Sequence, residues 1–153
     1  MEARRKIMEK KPFYARGLRF SCTRCSACCR HEPGFVFLSG GDLRLLAGEL
    51  ECEYSKVVEV YCRWVPASGG IEQLSLKEKP GFDCIFWQQG CRVYKNRPLQ
   101  CRTFPFWKSN LSSAQVWEGL PCPGIGRGKL HSRNYIEACL AQRRAEPVMA
   151  RRT

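Results

Sequence analysis

Apolar positions recur at helical spacing early in the chain. Leu43, Leu46, Ala47 and Leu50 follow Ser39-Gly-Gly-Asp42, where a serine and an acid three residues later resemble a capping box, and the pattern predicts a helix over residues 39–50. A second helix is predicted over 55–64, with Val57, Tyr61 and Trp64 on one side. Stripes of this kind fill cores and do not mark ligand sites. The period then shortens. Gln73-Leu-Ser-Leu76 alternates polar and apolar, and Cys84-Ile-Phe-Trp87 and Cys91-Arg-Val-Tyr94 flank Gln88-Gln89-Gly90, which predicts a small sheet or hairpin. Arg97-Pro98 predicts a turn into a short helix carrying Cys101, since proline suits a first helical turn. Tyr135, Ala138, Cys139 and Gln142 predict a last helix over 132–144. The expected class is α+β, a small single domain of helices and short strands around cysteine-rich loops.

The 153 residues divide into a basic N-terminal arm, 1–19, a cysteine-rich domain, 20–144, and a flexible tail, 145–153, after Pro147. Glycine and proline are scattered as turn punctuation and separate no second composition regime. No apolar stretch approaches the ~20 residues that cross a bilayer. The N-terminus lacks the apolar h-region and cleavage site of a secretory signal, so a soluble cytoplasmic protein is expected.

The compartment changes the meaning of the 11 cysteines. Thiols stay reduced in the cytoplasm, and an odd count with an adjacent pair, Cys28-Cys29, favours metal ligation over disulfides. Cys22-Thr-Arg-Cys25-Ser-Ala-Cys28-Cys29 packs four thiols into eight positions, and two-residue spacers let a tight turn aim successive sulfurs at one centre. Its fourth cysteine follows the third directly, unlike the ferredoxin run, so remote ligands are required. Cys28 and Cys29 are expected to serve two metals or two corners of one assembly. Cys84, Cys91, Cys101 and Cys122, the last on the turn Cys122-Pro123-Gly124, are placed to complete the set. Cys52, Cys62 and Cys139 lack partners at ligand spacing and are expected to be non-ligands. A lone His31 beside arginine and glutamate is expected to be solvated.

Net charge is +12, which ordinarily suggests a polyanionic partner. Thiolate ligands reduce it: eight around two zinc ions carry roughly four negative charges, four around a four-iron cluster roughly two. Arg24, Arg30, Arg92, Arg97 and Arg102 lie beside cysteines and offset that charge, or are simply solvated.

CTRCSACC, then FDCIFWQQGCRVYKNRPLQCRTFPFW, then LPCPGIGRG resembles, in that order, the YkgJ-type cysteine-cluster family, the CxxCxxCC zinc- or iron-chelating domain. The resemblance spans about residues 20–128. It implies that Cys22, Cys25, Cys28, Cys29, Cys84, Cys91, Cys101 and Cys122 are the shared metal-binding set. It also singles out Tyr94, Arg97, Pro98, Arg102 and Pro105 as motif positions. The flagellin lysine N-methylases are similar over the cysteine motif.

The expected function is coordination of an iron-sulfur cluster or zinc, with a redox or accessory enzymatic role. Thiols without histidine partners tilt the choice toward iron-sulfur, although both centres accept four thiolates. The alternatives are a structural zinc module, a metal chaperone and, less favoured, a nucleic-acid-binding zinc protein suggested by charge and by Phe13, Tyr14 and Phe20 among basic residues. A protein partner is compatible with any of these. No P-loop, nucleophile elbow or H-E-x-x-H motif assigns a reaction.

Overall fold

The computed structural model describes residues 10–153; the first part of the predicted basic arm, residues 1–9, lies outside them. The fold is α+β, with five α-helices and two antiparallel sheets among the described residues. No helix among the described residues is long and apolar enough to cross a membrane.

The first helix forms where the capping box predicts it. α1 spans Gly40–Glu49, with Ser39 as N-cap and Leu50 as C-cap. Asp42 N–H donates to Ser39 Oγ at 3.1 Å, and Ser39 N–H donates to Asp42 Oδ2 at 2.9 Å. α2, Tyr54–Tyr61, stops three residues short of the prediction, because Cys62–Pro66 leaves the helix as strand β2. Trp64, read as part of a helical stripe, is a strand residue paired with Leu74. The neighbouring strand explains the switch: β3, Ile71–Leu76, offers a continuous ladder from Cys62↔Leu76 to Pro66↔Glu72.

The predicted hairpin around residues 88–90 does not form a ladder. Only isolated bridges, Glu78↔Cys84 and Trp87↔Cys91, remain there. Gln89 and Gly90 turn the backbone at φ 53° and 127°, and the chain coils instead of extending. α3, Leu99–Thr103, follows Pro98 and carries Cys101 as predicted. α4, Ala114–Glu118, and α5, Arg133–Ala145, are each capped by a serine, Ser113 and Ser132.

Three strands have distant partners. β1, Leu18–Phe20, pairs with β4, Ile125–His131, across more than a hundred residues. The stretch predicted as a flexible tail instead supplies β5, Ala150–Arg152, on the free edge of β3. Met149 N–H donates to Leu38 O at 2.8 Å, and Arg151 forms a 2.7 Å ion pair with Glu72. Backbone groups on an open edge find a partner in the returning chain.

Two apolar cores result. One gathers Leu38, Leu43, Leu46, Val57, Leu74, Leu76, Phe86 and Val93, with Cys84 and Cys91 packed on its border. The other gathers Phe20, Phe106, Leu111, Trp117, Ile136 and Cys139, with Cys122 on its border.

Candidate metal centre

The cysteine run leaves β1 with no regular structure. Arg24, Ser26 and His31 take φ of 55°, 66° and 76°, the left-handed region that a side chain enters at a cost of about 1–2 kcal/mol. Repeated left-handed residues fold the run back on itself: Cys29 N–H donates to Ser26 O at 2.9 Å, and the sulfurs of Cys28 and Cys29 lie 3.7 Å apart. Adjacent cysteines thus present both thiols to one region.

Remote segments are fastened to this run. Cys84 N–H donates to Cys29 O at 2.7 Å. Arg30 Nε pairs with Asp83 at 3.1 Å while its guanidinium lies 3.6 Å from the Trp87 ring centroid. Tyr94 is covered by two guanidinium groups, Arg24 at 4.3 Å and Arg97 at 4.0 Å. Cys101 is positioned through buried Asp42, which is 2% exposed: its Oδ1 accepts the Leu99 N–H of α3 at 2.8 Å while Oδ2 holds the capping box of α1. Cys122 is brought to Cys22 by Gly124. The backbone carbonyl of Ser21 sits where a Cβ on Gly124 would be, so no side chain is tolerated at that contact.

Two neighbourhoods of thiols emerge from the electrostatics. Cys101 is influenced by Cys84, Cys28 and Cys91, and Cys29 by Cys28, Cys101 and Cys84. Cys122 is influenced by Cys25, Cys22 and Cys28. Cys28 belongs to both. Its pKa falls to about 6, chiefly because the Cys29 thiol donates to it, with Arg97 assisting; Cys29 is pushed up as the donor. Burial, the first cause, and neighbouring thiols raise Cys84, Cys91, Cys101 and Cys122.

One local device recurs. The backbone N–H two residues ahead donates to the sulfur at Cys22, from Arg24 at 3.4 Å, and the corresponding amides of Phe86, Val93 and Gly124 lower the thiol pKa of Cys84, Cys91 and Cys122 against the effect of burial. Each such amide favours the thiolate, the form that binds metal.

The remaining cysteines lie elsewhere. Cys62 is buried in the first core, where its thiol is pushed up to about 12, and Cys139 is buried in the second. Cys52 packs on the border of the first. His31 is exposed and its backbone faces Asp83. Among the predicted arginines, Arg97 lowers Cys28, Cys91 and Cys101, whereas Arg102 donates to Arg97 O at 2.8 Å and reaches toward Asp42 at 3.9 Å. Arg97 therefore addresses the thiols, and Arg102 braces the turn that holds it. Ser21 escaped the sequence reading, and Asp42 was legible there only as the acid of the capping box, not as the anchor of α3. The glycine directly after Cys122-Pro123 also carried a signal.

Among the described residues, no three Cys, His, Asp or Glu side chains are grouped so that they could hold a metal ion as they stand. Cys22, Cys25 and Cys28 are exposed on the run, whereas Cys29, Cys84, Cys91, Cys101 and Cys122 are half-buried. The donor set is entirely sulfur, which suits zinc and iron-sulfur centres alike.

The model of the CxxCxxCC family, described as "Putative zinc- or iron-chelating domain", matches residues 21–123, the stretch containing all eight thiols of the two neighbourhoods. An uncharacterized protein of Methanocaldococcus jannaschii is 31% identical over 110 residues, covering 67% of this chain and 56% of its own length. The chain thus spans little more than half of that relative. No solved structure gives a significant match. With the match covering most of the chain, and the motif thiols gathered from four separate segments, the chain belongs to the CxxCxxCC family of zinc- or iron-chelating domains.

Proposed function

We propose that residues 20–144 form a thiolate metal-binding unit that uses Cys22, Cys25, Cys28, Cys29, Cys84, Cys91, Cys101 and Cys122, and that its resident centre is an iron-sulfur cluster. The observation that carries this reading is the amide two residues ahead of the sulfur, which donates to Cys22 at 3.4 Å and lowers the thiol pKa at Cys84, Cys91 and Cys122. An isolated thiol gains little from such a donor; a thiolate bound to metal gains stabilisation and a tuned potential. Cys22, Cys25 and Cys122 form one side of the set and Cys29, Cys84, Cys91 and Cys101 the other, with Cys28 between them.

The absence of histidine from both neighbourhoods favours a cluster ligated by sulfur alone. Such a cluster supplies one-electron redox chemistry when bound, and Arg97 lies close enough in charge to stabilise a more negative state. Metal, acid-labile sulfide and zinc measured per chain after anaerobic purification test the proposal. Iron with matching sulfide supports it. Zinc without sulfide leaves the ligand set standing but replaces the centre, and a metal-free, fully folded chain overturns both.

The exposure of Cys22, Cys25 and Cys28 favours a second reading, a metal chaperone whose outer thiols exchange their cargo. Loss of metal to a competing chelator within seconds distinguishes that role from a resident centre.

A further inference from the structure

The net charge of +12 is not spread over the molecule. Residues 32–118 contain ten basic and ten acidic side chains, so the whole excess lies in residues 1–31 and 119–153. Pairing of β1 with β4 brings these two segments together. Among the described residues, no acidic side chain occurs in 10–31 or in 119–136. Lys10, Lys11, Arg16, Arg19, Arg127 and Lys129 are all exposed there.

The ribbon is also unusual in shape. Phe20 pairs with Ile125 but Arg19 pairs with Leu130, so residues 126–129, Gly-Arg-Gly-Lys, are thrown out of the ladder. Gly126 and Gly128 sit at φ 75° and 76°, alternating with Arg127 and Lys129, and all four residues are exposed. Turns with alternating handedness form concave sites for anions in other proteins, but here Arg127 N–H donates to Gly124 O at 3.3 Å and Lys129 N–H to Ser21 Oγ, so the loop meets an anion chiefly through its basic side chains. The loop is fixed in place: Arg19 donates to Gly128 O at 3.0 Å, and Lys129 N–H donates to Ser21 Oγ at 2.9 Å. Two exposed aromatics lie near the ribbon in sequence, Phe13, 38% exposed and five residues before β1, and Tyr135, 47% exposed and tilted against His131 of β4 at 5.0 Å. Phe20, which the sequence offered as a third aromatic, is buried in the second core and takes no part.

We propose that the β1–β4 ribbon and its Gly126–Lys129 loop form a docking strip for single-stranded nucleic acid, with Arg19, Arg127 and Lys129 gripping the phosphates, and Phe13 and Tyr135 offering faces to bases. Basic side chains interleaved with exposed aromatics serve this ligand, since phosphates demand positive charge and unpaired bases present flat surfaces. An acidic protein would use the charge but leave the aromatics idle. A lipid surface favours a broad apolar face, which the ribbon lacks. β1 ends two residues before Cys22 and β4 begins three residues after Cys122, so the strip is anchored on the outer thiols without using them.

The test is fluorescence anisotropy of labelled 20-nucleotide RNA and DNA single strands with the anaerobically purified full chain, titrated at several salt concentrations. Four phosphate contacts on a single strand give a slope of log affinity against log salt of about −3, hence roughly fifty-fold weaker binding from 50 to 200 mM salt. The triple variant Arg19→Glu, Arg127→Glu, Lys129→Glu is expected to lose at least tenfold in affinity and to flatten the slope by about 2. The control Arg44→Glu, Lys56→Glu, Lys108→Glu removes the same charge from exposed positions in the neutral stretch and is expected to bind like the parent. Circular dichroism and metal content identify any variant that fails to fold, and Phe13→Ala with Tyr135→Ala then serves as a second probe, expected to weaken binding at unchanged salt slope. Equal losses in the two triple variants, or no binding by the parent, overturn the proposal. So does tighter binding to vesicles rich in phosphatidylserine than to either oligonucleotide.

Discussion

Gly124 shows how a single absent side chain assembles the site. The Ser21 carbonyl occupies the place of its Cβ, and this contact sets Cys122 beside Cys22. Gly124→Ala is expected to destabilise the chain by about 1–3 kcal/mol, the usual cost of overpacking, and to lower metal content more than a surface alanine does. Thermal melting combined with metal analysis reads both effects. Replacement of Cys25 or Cys101 by serine should remove metal, whereas Cys52→Ser and Cys139→Ser should retain it; equal losses would mean that the ligand set is wrongly drawn. Cys62 lends itself to a pH test. Burial raises its folded pKa to about 12 from an ordinary 9.0. Its contribution to stability is therefore intact below about pH 9 and is lost between 9 and 12, as the unfolded thiol ionises first. In the native protein at pH 8 it should resist iodoacetamide, with mass spectrometry showing modification only after denaturation.

The capping box at Ser39 and Asp42, the serine-led last helix and the helix after Pro98 were legible in sequence because each depends on neighbours within four residues. The end of α2 was not. Val57, Tyr61 and Trp64 do fall at helical spacing, but the ladder offered by β3 wins over local propensity at Cys62. β1, β4 and β5 were missed for a related reason: their partners lie far along the chain, and β4 is too rich in glycine to alternate. Cysteine spacing gave the ligand candidates, yet it said nothing of which thiols share a neighbourhood. Asp42 also had a second role hidden from sequence, since its other oxygen holds α3. Asp42→Ala should therefore cost about 2–4 kcal/mol, more than the ~1 kcal/mol of an ordinary lost cap, because it orphans donors at two helices. Chemical denaturation of Asp42→Ala beside Ser113→Ala, a variant lacking one ordinary cap, makes the comparison.

At the scale of the whole molecule, cysteines border both apolar cores: Cys84 and Cys91 on the first, Cys122 on the second. The proposed centre, bound between these borders, would stitch the cores together, with apparent binding free energies on the order of 10–16 kcal/mol per structural metal if zinc is the occupant. Chelation should then expose residues 21–31 to protease before the rest of the chain, visible as an early cut in a time course.

The same two-core arrangement bears on cooperativity. Each core has its own helices and its own sheet, and the cysteine segments run between them. With metal holding that seam, calorimetry should record one unfolding event, with van't Hoff and calorimetric enthalpies in agreement. Stripped of metal, the halves are released from one another, and amide exchange should divide into two populations of different protection, one following Leu74 and the other Ile136. The centre would in that sense act as a latch on the folding landscape, making two foldons behave as one.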